Sequence, residues 1–561
     1  MSSEKDENEL EAAGYESQMP RRFSLWSLGA LSFTMTGTWQ GTGSSMGIGL
    51  RAASSGGVMW SLLVAGTMTT VVAAGMAELA SAYPVSGAQY YWSYMVASDD
   101  YRAFAAFLTA MLSVIGWWFS AGAVANFVAG TILNIVVAWN TDYQPQAWQK
   151  YLLFVTFVWL AASVNIFAAN WIPYFNKMMF VFALITMTST MITMFVVAQG
   201  HHQSAEFIFT NMETHTGWSS DGFGFLLAMG NAVYAFMGGD CAAKLAEEIP
   251  NPSKNVPLVT IFPVVTGFLT AFPFAGALLY AIRDIDLVLN TATGLPLFEI
   301  YLQATQSKLA ASVLLGVFSM FQFSTLIASS EFMTLDGNLH NLLTVLSALA
   351  TTGSRTVWAV SRDNVLPFSH LWQKVSPYFD VPVNSMLLSA SFITAYGLIF
   401  LGSTTAFSAM VNATIIFIQT SIVLPQAIVL FRGRDRILPP RWFNLGRYGV
   451  LINALSVLWV FGLNILFCFP TTLPITAMNM NYVPIVISVA TASIFVFWFM
   501  GKKNSFTGPV IDMKALDARR REAMDTESTL NNAGHESDGT IVERDLGMEK
   551  HDGVKIKELA N

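Results

Sequence analysis

Residues Trp39–Gly49 read WQGTGSSMGIG. They fall inside the first long apolar run of the chain, where a lipid-facing helix would carry leucine or isoleucine. Glycine and serine dominate the stretch instead, with a polar Gln40 beside Trp39. Five glycines (Gly37, Gly41, Gly43, Gly47 and Gly49) lie within one span, and each costs about 1 kcal/mol against alanine in a soluble helix. An unsatisfied backbone group in hydrocarbon costs several kcal/mol, so an unwound span survives only where it lines a cavity or is buried in protein. Two readings follow from the stretch alone: a small-residue seam between packed helices, or a break that offers bare peptide dipoles to a solute.

The rest of the chain supports a membrane setting. Of its 561 residues, 53% are hydrophobic and only 12% charged, where a soluble domain carries about a quarter. Mean hydropathy is +0.49. A bilayer core about 30 Å thick takes roughly 20 apolar residues to cross as a helix. Apolar runs begin near Phe23, Val58, Phe104, Tyr151, Lys177, Phe223, Pro257, Ala311, Asn384, Ala406, Gly446 and Asn479. The expectation is an all-α membrane protein of about twelve transmembrane helices. A β-barrel would show alternating segments of about ten residues, and these runs are long and continuously apolar.

Residues 1–22 and 502–561 are polar and acidic and read as disordered cytosolic tails around a transmembrane domain at 23–501. The acidic start lacks the basic region and early apolar core of a cleavable signal peptide. The net charge of −7 resides largely in these tails and says little about partners. Cys241 and Cys468 both fall in apolar spans, which argues against a disulfide framework or a cysteine metal site. With both tails in the cytosol, the inner loops receive Lys254, Arg362, Lys374, Lys502 and the cluster RGRDRILPPRWFNLGR (Arg432–Arg447), while the outer loops keep Arg51, Lys150, Arg283 and Lys308. That asymmetry satisfies the positive-inside rule.

A second irregular span changes the weight of the first. The sixth reads FGFLLAMGNAVYAFMGGDCAAKLAEEIPNP, with Phe236, Met237, Gly238, Gly239 and Asp240 at its middle. Paired interruptions in corresponding halves are the best sequence pointer to a transport site near the bilayer midplane. Half-helix N-termini there attract a carboxylate, and freed carbonyls attract cations.

Six stretches together resemble the fungal amino acid/choline (GABA/choline-type) permeases of the amino acid–polyamine–organocation superfamily. They are AELASAYPVSGAQYYW (Ala77–Trp92), KLAEEIPNPSKNVP (Lys244–Pro257), TGLPLFEIYLQATQSK (Thr293–Lys308), GSRTVWAVSRDNVLPFS (Gly353–Ser369), GSTTAF (Gly402–Phe407) and MNMNYVPIV (Met478–Val486). The resemblance implies a five-plus-five inverted-repeat fold of the LeuT type, with helices 1 and 6 broken. It also implies import of a small amine or amino acid, driven by a proton gradient with no bound cofactor. Carried over by position, the substrate-facing residues are Trp39, Gln40, Gly41, Thr42, Gly43, Ser44 and Ser45 in the first span. In the sixth they are Phe236, Met237, Gly238, Gly239 and Asp240, with Tyr234 one turn before. Family members often carry an acid where this chain has Gln40. They also run straight through the eighth span, whereas residues 327–347 here read as an insert, either translated intron sequence or a genuine extra loop.

Ionisable residues inside a membrane default to functional hypotheses. Asp240 reads as a helix cap or a partner of Lys244 more readily than as a direct substrate contact. Lys244, Glu247 and Glu248 are gate or ion-pair candidates, at spacings that permit i,i+3 and i,i+4 pairs. Glu78 is expected to meet a basic inner loop. Among aromatic residues able to face a quaternary ammonium, Trp39 and Phe236 adjoin the breaks, while Trp117 and Trp118 read as packing. His201, His202 and His215 read as members of a solvated loop.

The GxSxG pattern occurs once, at Gly43–Gly47, inside an apolar span where no strand-to-helix elbow can form, and no Walker loop, HExxH or CxxC is found, so no enzymatic activity, metal site or nucleic-acid partner is expected. The sequence reading is therefore a secondary active permease, multi-pass in the plasma membrane, with small amines or amino acids and membrane lipid as its partners. A nutrient sensor on the same fold and a channel are the competing classes.

Overall fold

The computed structural model describes residues 24–509, apart from 141, 168–171, 199, 292, 329–351, 377–381 and 477–478. The N-terminal tail, residues 510–561 of the C-terminal tail and all but the first two residues of the suspected insert lie outside the described residues. The described residues fall within one compact unit, 17–509.

Among them every regular element is helical. Helix α1 (Leu25–Thr36) is followed by α2 (Thr38–Ala82), α3 (Ala88–Val96), α4 (Arg102–Trp139), α5 (Ala147–Phe167), α6 (Ile172–Val197) and α7 (Asp221–Val233). The second part comprises α8 (Pro252–Tyr280), α9 (Pro296–Thr305), α10 (Lys308–Ala328), α11 (Thr352–Arg362), α12 (Val383–Gly397), α13 (Thr404–Arg432), α14 (Gly449–Leu466) and α15 (Val483–Phe497).

Among the described residues, ten stretches are long and apolar enough to cross a membrane. The first, Leu25–Ala82, has 58 residues, which at 1.5 Å per residue is about three bilayer thicknesses. It is two crossings, because the chain reverses at Ala53 (φ −153°, ψ 30°) and Ser54 (φ 51°, ψ −161°). A Cβ on Gly49 would lie 3.0 Å from Val58, a contact across the reversal that a straight helix forbids. The segment from Asp221 to Glu248 is a further crossing whose helical pieces are too short to qualify alone. With these two additions the count reaches the twelve expected.

The breaks sit at the centre of the packing. Helix α8 packs along α2, and α13 packs against α4. At the rim, α14 and α15 turn residues such as Phe461, Val489 and Val496 outward, as suits side chains that meet lipid tails. The basic loops gather at one end. Arg432 Nη1 donates to the Val96 carbonyl (2.8 Å). Lys254 lies over the Trp442 ring (5.3 Å), and Lys502 Nζ reaches the Leu366 carbonyl (3.1 Å). The opposite end is closed by the segment 204–216, where the Gly56 amide donates to the Asn211 carbonyl (2.7 Å) and Trp60 Nε1 to that of Phe209 (2.9 Å).

Candidate substrate-binding site

The first span breaks at Gly37, whose amide closes α1 on the Phe33 carbonyl (3.0 Å). Its φ of 49° and ψ of 41° place it in the left-handed region, which costs glycine nothing and other residues strain. The stretch Trp39–Ser45 lies just beyond and is α-helical, so the break stands two residues ahead of the segment to which the sequence assigned it. The hydroxyls explain why that segment stays wound. Thr42 Oγ1 donates to the Thr38 carbonyl (2.8 Å), and Ser44 and Ser45 donate to that of Gly41 (3.0 and 2.8 Å). These polar groups are spent on the helix itself. The glycines serve close approach: a Cβ on Gly41 would meet the Ala235 Cα at 2.6 Å, and one on Gly43 would meet the Phe318 ring at 2.9 Å.

The sixth span unwinds over a longer distance. Helix α7 tightens into a 3₁₀ turn at Tyr234–Phe236, Met237 is extended (ψ 151°), and Gly238 takes a φ of 99°. The chain resumes only as a short 3₁₀ piece at Ala243–Glu248. A Cβ on Gly238 would lie 3.1 Å from the Met35 carbonyl oxygen. The two breaks therefore face each other, backbone to backbone, and glycine is what lets them.

Side chains from other helices complete the surroundings. Trp39 is 2% exposed and meets Phe274 of α8 and Phe318 and Phe321 of α10, with ring centroids 5.3, 5.4 and 5.7 Å away. All three are edge-to-face contacts, the favoured aromatic geometry. Gln40 Oε1 meets Thr325 Oγ1 (3.1 Å), and the Gln40 carbonyl accepts from Gln322 Nε2 (3.4 Å). Helix α10 thus bridges the first break with amide and hydroxyl groups.

Asp240 is fully buried. Its Oδ2 is 2.9 Å from Lys244 Nζ and accepts from Gln89 Nε2 (2.8 Å) and Trp117 Nε1 (3.2 Å). Lys244 also donates to Ser113 Oγ (3.2 Å) and lies 4.6 Å above the Trp117 ring. Of the two readings left open for Asp240, the pair with Lys244 is the one formed. Glu247 continues the ladder as a bidentate partner of Arg362 (3.0 and 3.3 Å) and accepts from the Ser86 amide (3.1 Å). The Glu248 side chain lies outside the described residues.

Residues 23–490 match the amino acid permease family. The chain belongs to that family. It is 29% identical over 495 residues to a choline transporter of Saccharomyces cerevisiae, covering 88% of this chain and 84% of the relative. It is 28% identical over 512 residues to amino-acid permease 2 of Neurospora crassa, covering 91% and 90%. With amino-acid permease BAT1 of Arabidopsis thaliana it shares 27% over 516 residues, covering 89% and 95%. The permease is an integral, multi-pass membrane protein.

Two cavities flank the breaks of the permease, each of about 20 Å³. One is lined by Thr42, Ser45, Gly49 and Asn231, the other by Met237, Gly238, Gly239 and Asp240. Each has room for about one water.

Several neighbours escaped the sequence reading. Gln89, Thr69 and Gln419 come from three other helices, and periodicity does not say which helices meet. Trp117, read as packing, donates to the buried carboxylate; an aromatic residue with a polar handle is the one signal that could have found it. Trp118 donates to Ser389 Oγ (2.9 Å) and stacks on Phe392 (4.1 Å), a packing role. His202 stacks on Tyr280 (4.7 Å) in the segment that caps the far end.

Proposed function

We propose that this permease is a secondary active importer of a small amine-containing solute such as choline, GABA or another amino acid. It works by proton symport with alternating access. The observation that carries the reading is the apposition of the two broken spans at Gly238 and Met35. The first-turn amides of α2 supply donors for a carboxylate, and the last carbonyls of α1 supply acceptors for an amine. Trp39 and its three phenylalanines offer an apolar, quadrupolar wall suited to methyl groups or a quaternary ammonium. Because Asp240 is paired with Lys244, and Gln40 is neutral, a substrate amine is held by carbonyls and ring faces.

Alternating access follows from size. Small-molecule pockets are typically about 300 Å³ or larger, against about 20 Å³ for each cavity at the breaks. The conformation is closed, so a solute enters only when the helices around the breaks part. The basic loops gathered at one end support a cytosolic face there, and with it the reading of a plasma-membrane protein whose tails lie in the cytosol.

Radiolabelled uptake of choline, GABA, proline and polyamines in a permease-deficient host tests the reading. Accumulation of at least one above its external level, abolished by a protonophore, is the expected result. Equilibration to the external level alone would make the protein a channel, and binding without uptake a sensor.

A further inference from the structure

Asp240 uses one of its two carboxylate oxygens. Oδ2 accepts from Lys244, Gln89 and Trp117, while the buried Oδ1 has no partner. Of the buried polar side-chain atoms that share that state, two border the same space: Thr69 Oγ1 of α2 and Gln419 Oε1 of α13. All three residues line the same cavity of about 20 Å³, whose remaining wall includes Phe236, Val264 and Ile418. Buried polar groups in native proteins are hydrogen-bonded, and each exception calls for an explanation. Here three oxygens border room for a single water, and the Thr69 hydroxyl is the one hydrogen among them. The lining calls for an occupant that brings protons.

The electrostatic setting is sparse. The described side chains that α2, α3, α4, α8 and α13 bring to Asp240 and this cavity include Thr69, Gln89, Trp117, Val264 and Gln419, and none of these is ionisable. Lys244, on the same segment as Asp240, is the charged group that faces it. The neighbouring Glu247 is matched by Arg362. A proton delivered to this place has one acceptor of consequence.

Building on the symport reading above, we propose that Asp240 carries the coupling proton. A hydronium-borne proton reaching the cavity is taken by Oδ1, leaving a water molecule and a neutral carboxyl group; the reverse transfer to water releases it on the other side. Charge balances at each step, with Lys244 as the resident cation. Neutralising Asp240 removes the counter-charge of Lys244, yet Ser113 and the face of Trp117 continue to hold the ammonium. The tie between Asp240 and Lys244 then weakens within the one stretch of the sixth span that has no α-helix to stiffen it. Protonation is thereby linked to movement at the break.

The test uses the full-length protein in liposomes, with radiolabelled choline, or GABA if choline is not taken up, and an internal pH dye. In the wild type an inward acid gradient should drive choline and protons together. In Asp240→Asn the solute-dependent proton flux should fall to the leak of protein-free liposomes, so that the ratio of coupled protons to solute falls to zero whatever transport rate remains. An unchanged ratio overturns the proposal, and so does a raised KM with an unchanged ratio, which would make Asp240 a solute contact. If Asp240→Asn moves no solute, Thr69→Val decides, since it keeps the ion pair and removes a cavity hydroxyl. The external pH for half-maximal uptake should then shift by about one unit, and an unmoved midpoint overturns the proposal. A wild type that moves solute without protons would refute the symport reading itself. That outcome is distinct from a proton-coupled wild type matched by Asp240→Asn.

Discussion

Gly41→Leu should lower uptake to the level of the untransformed host while the protein still reaches the membrane. A Cβ at residue 41 would stand 2.6 Å from the Ala235 Cα and 3.1 Å from its Cβ. The first of these is backbone and cannot rotate away. The first and sixth spans would have to separate where their breaks meet, and a leucine would fill the space so opened. Overpacking of this kind costs about 1–3 kcal/mol, which a large membrane domain can absorb without unfolding. The geometry of the site cannot absorb it. Gly462→Leu is the control, because nothing lies within 4 Å of a Cβ there and the residue is exposed on α14. Uptake and surface expression, measured together, check the pair. Normal uptake by Gly41→Leu would show that the two spans do not meet at a functional site.

Glu78→Ala should be the most destabilising single change at the basic end of the bundle. Arg434 contacts the Glu78 carboxylate through Nη2 and through Nε (2.9 Å), Arg441 through Nη2 (2.7 Å), and the Leu445 amide donates to it (3.0 Å). Glu78 is 1% exposed, and its two arginine side chains are 3% and 4% exposed. The hydrogen bond that Arg434 donates to Glu78 is the main influence holding its guanidinium above the usual range, and even without that partner an arginine stays charged. Breaking a buried pair from one side leaves an uncompensated charge and costs about 3–5 kcal/mol. The expected result is a lower midpoint in thermal melting of detergent-solubilised protein and reduced surface expression. Glu78→Asp, which keeps the charge on a shorter stem, should recover part of the loss. A melting midpoint equal to wild type for Glu78→Ala would show that the clasp between α2 and the loop 433–448 carries no stability.

Both effects were only half legible in the chain. The pairing of Glu78 with a basic loop was expected from charge placement alone. That Arg434 and Arg441 are the partners depended on how the loop after α13 folds back, and nothing in its spacing fixes that path. The glycines of the first span signalled irregular packing, yet their distribution misplaced the break. Gly37 sits in the left-handed region and ends a helix, whereas Gly41 and Gly43 sit inside the next one and admit neighbours. A sequence records that a residue lacks a Cβ, without saying whether backbone freedom or close contact is being used. Gly239, which the sequence placed beside the solute, has Val264 at 3.4 Å and otherwise open surroundings. Tighter positions in these two spans include Gly41, Gly43, Gly47 and Gly238.

The class of the protein could be read along the chain. Helices that cross hydrocarbon must satisfy their own backbone and present apolar side chains, so twelve such runs, their punctuation and the bias of basic loops are written locally. Interruption of the sixth span was equally local, because Met237-Gly238-Gly239-Asp240 cannot hide in an apolar helix without a reason. Tertiary structure alone decided which groups meet across helices. The cage of Phe274, Phe318 and Phe321 around Trp39 draws on residues hundreds of positions apart. So does the gathering of Thr69, Gln89, Trp117 and Gln419 about Asp240. Such contacts depend on how helices rotate and cross, which is settled by steric fit over the whole bundle and leaves no periodic mark in any one segment.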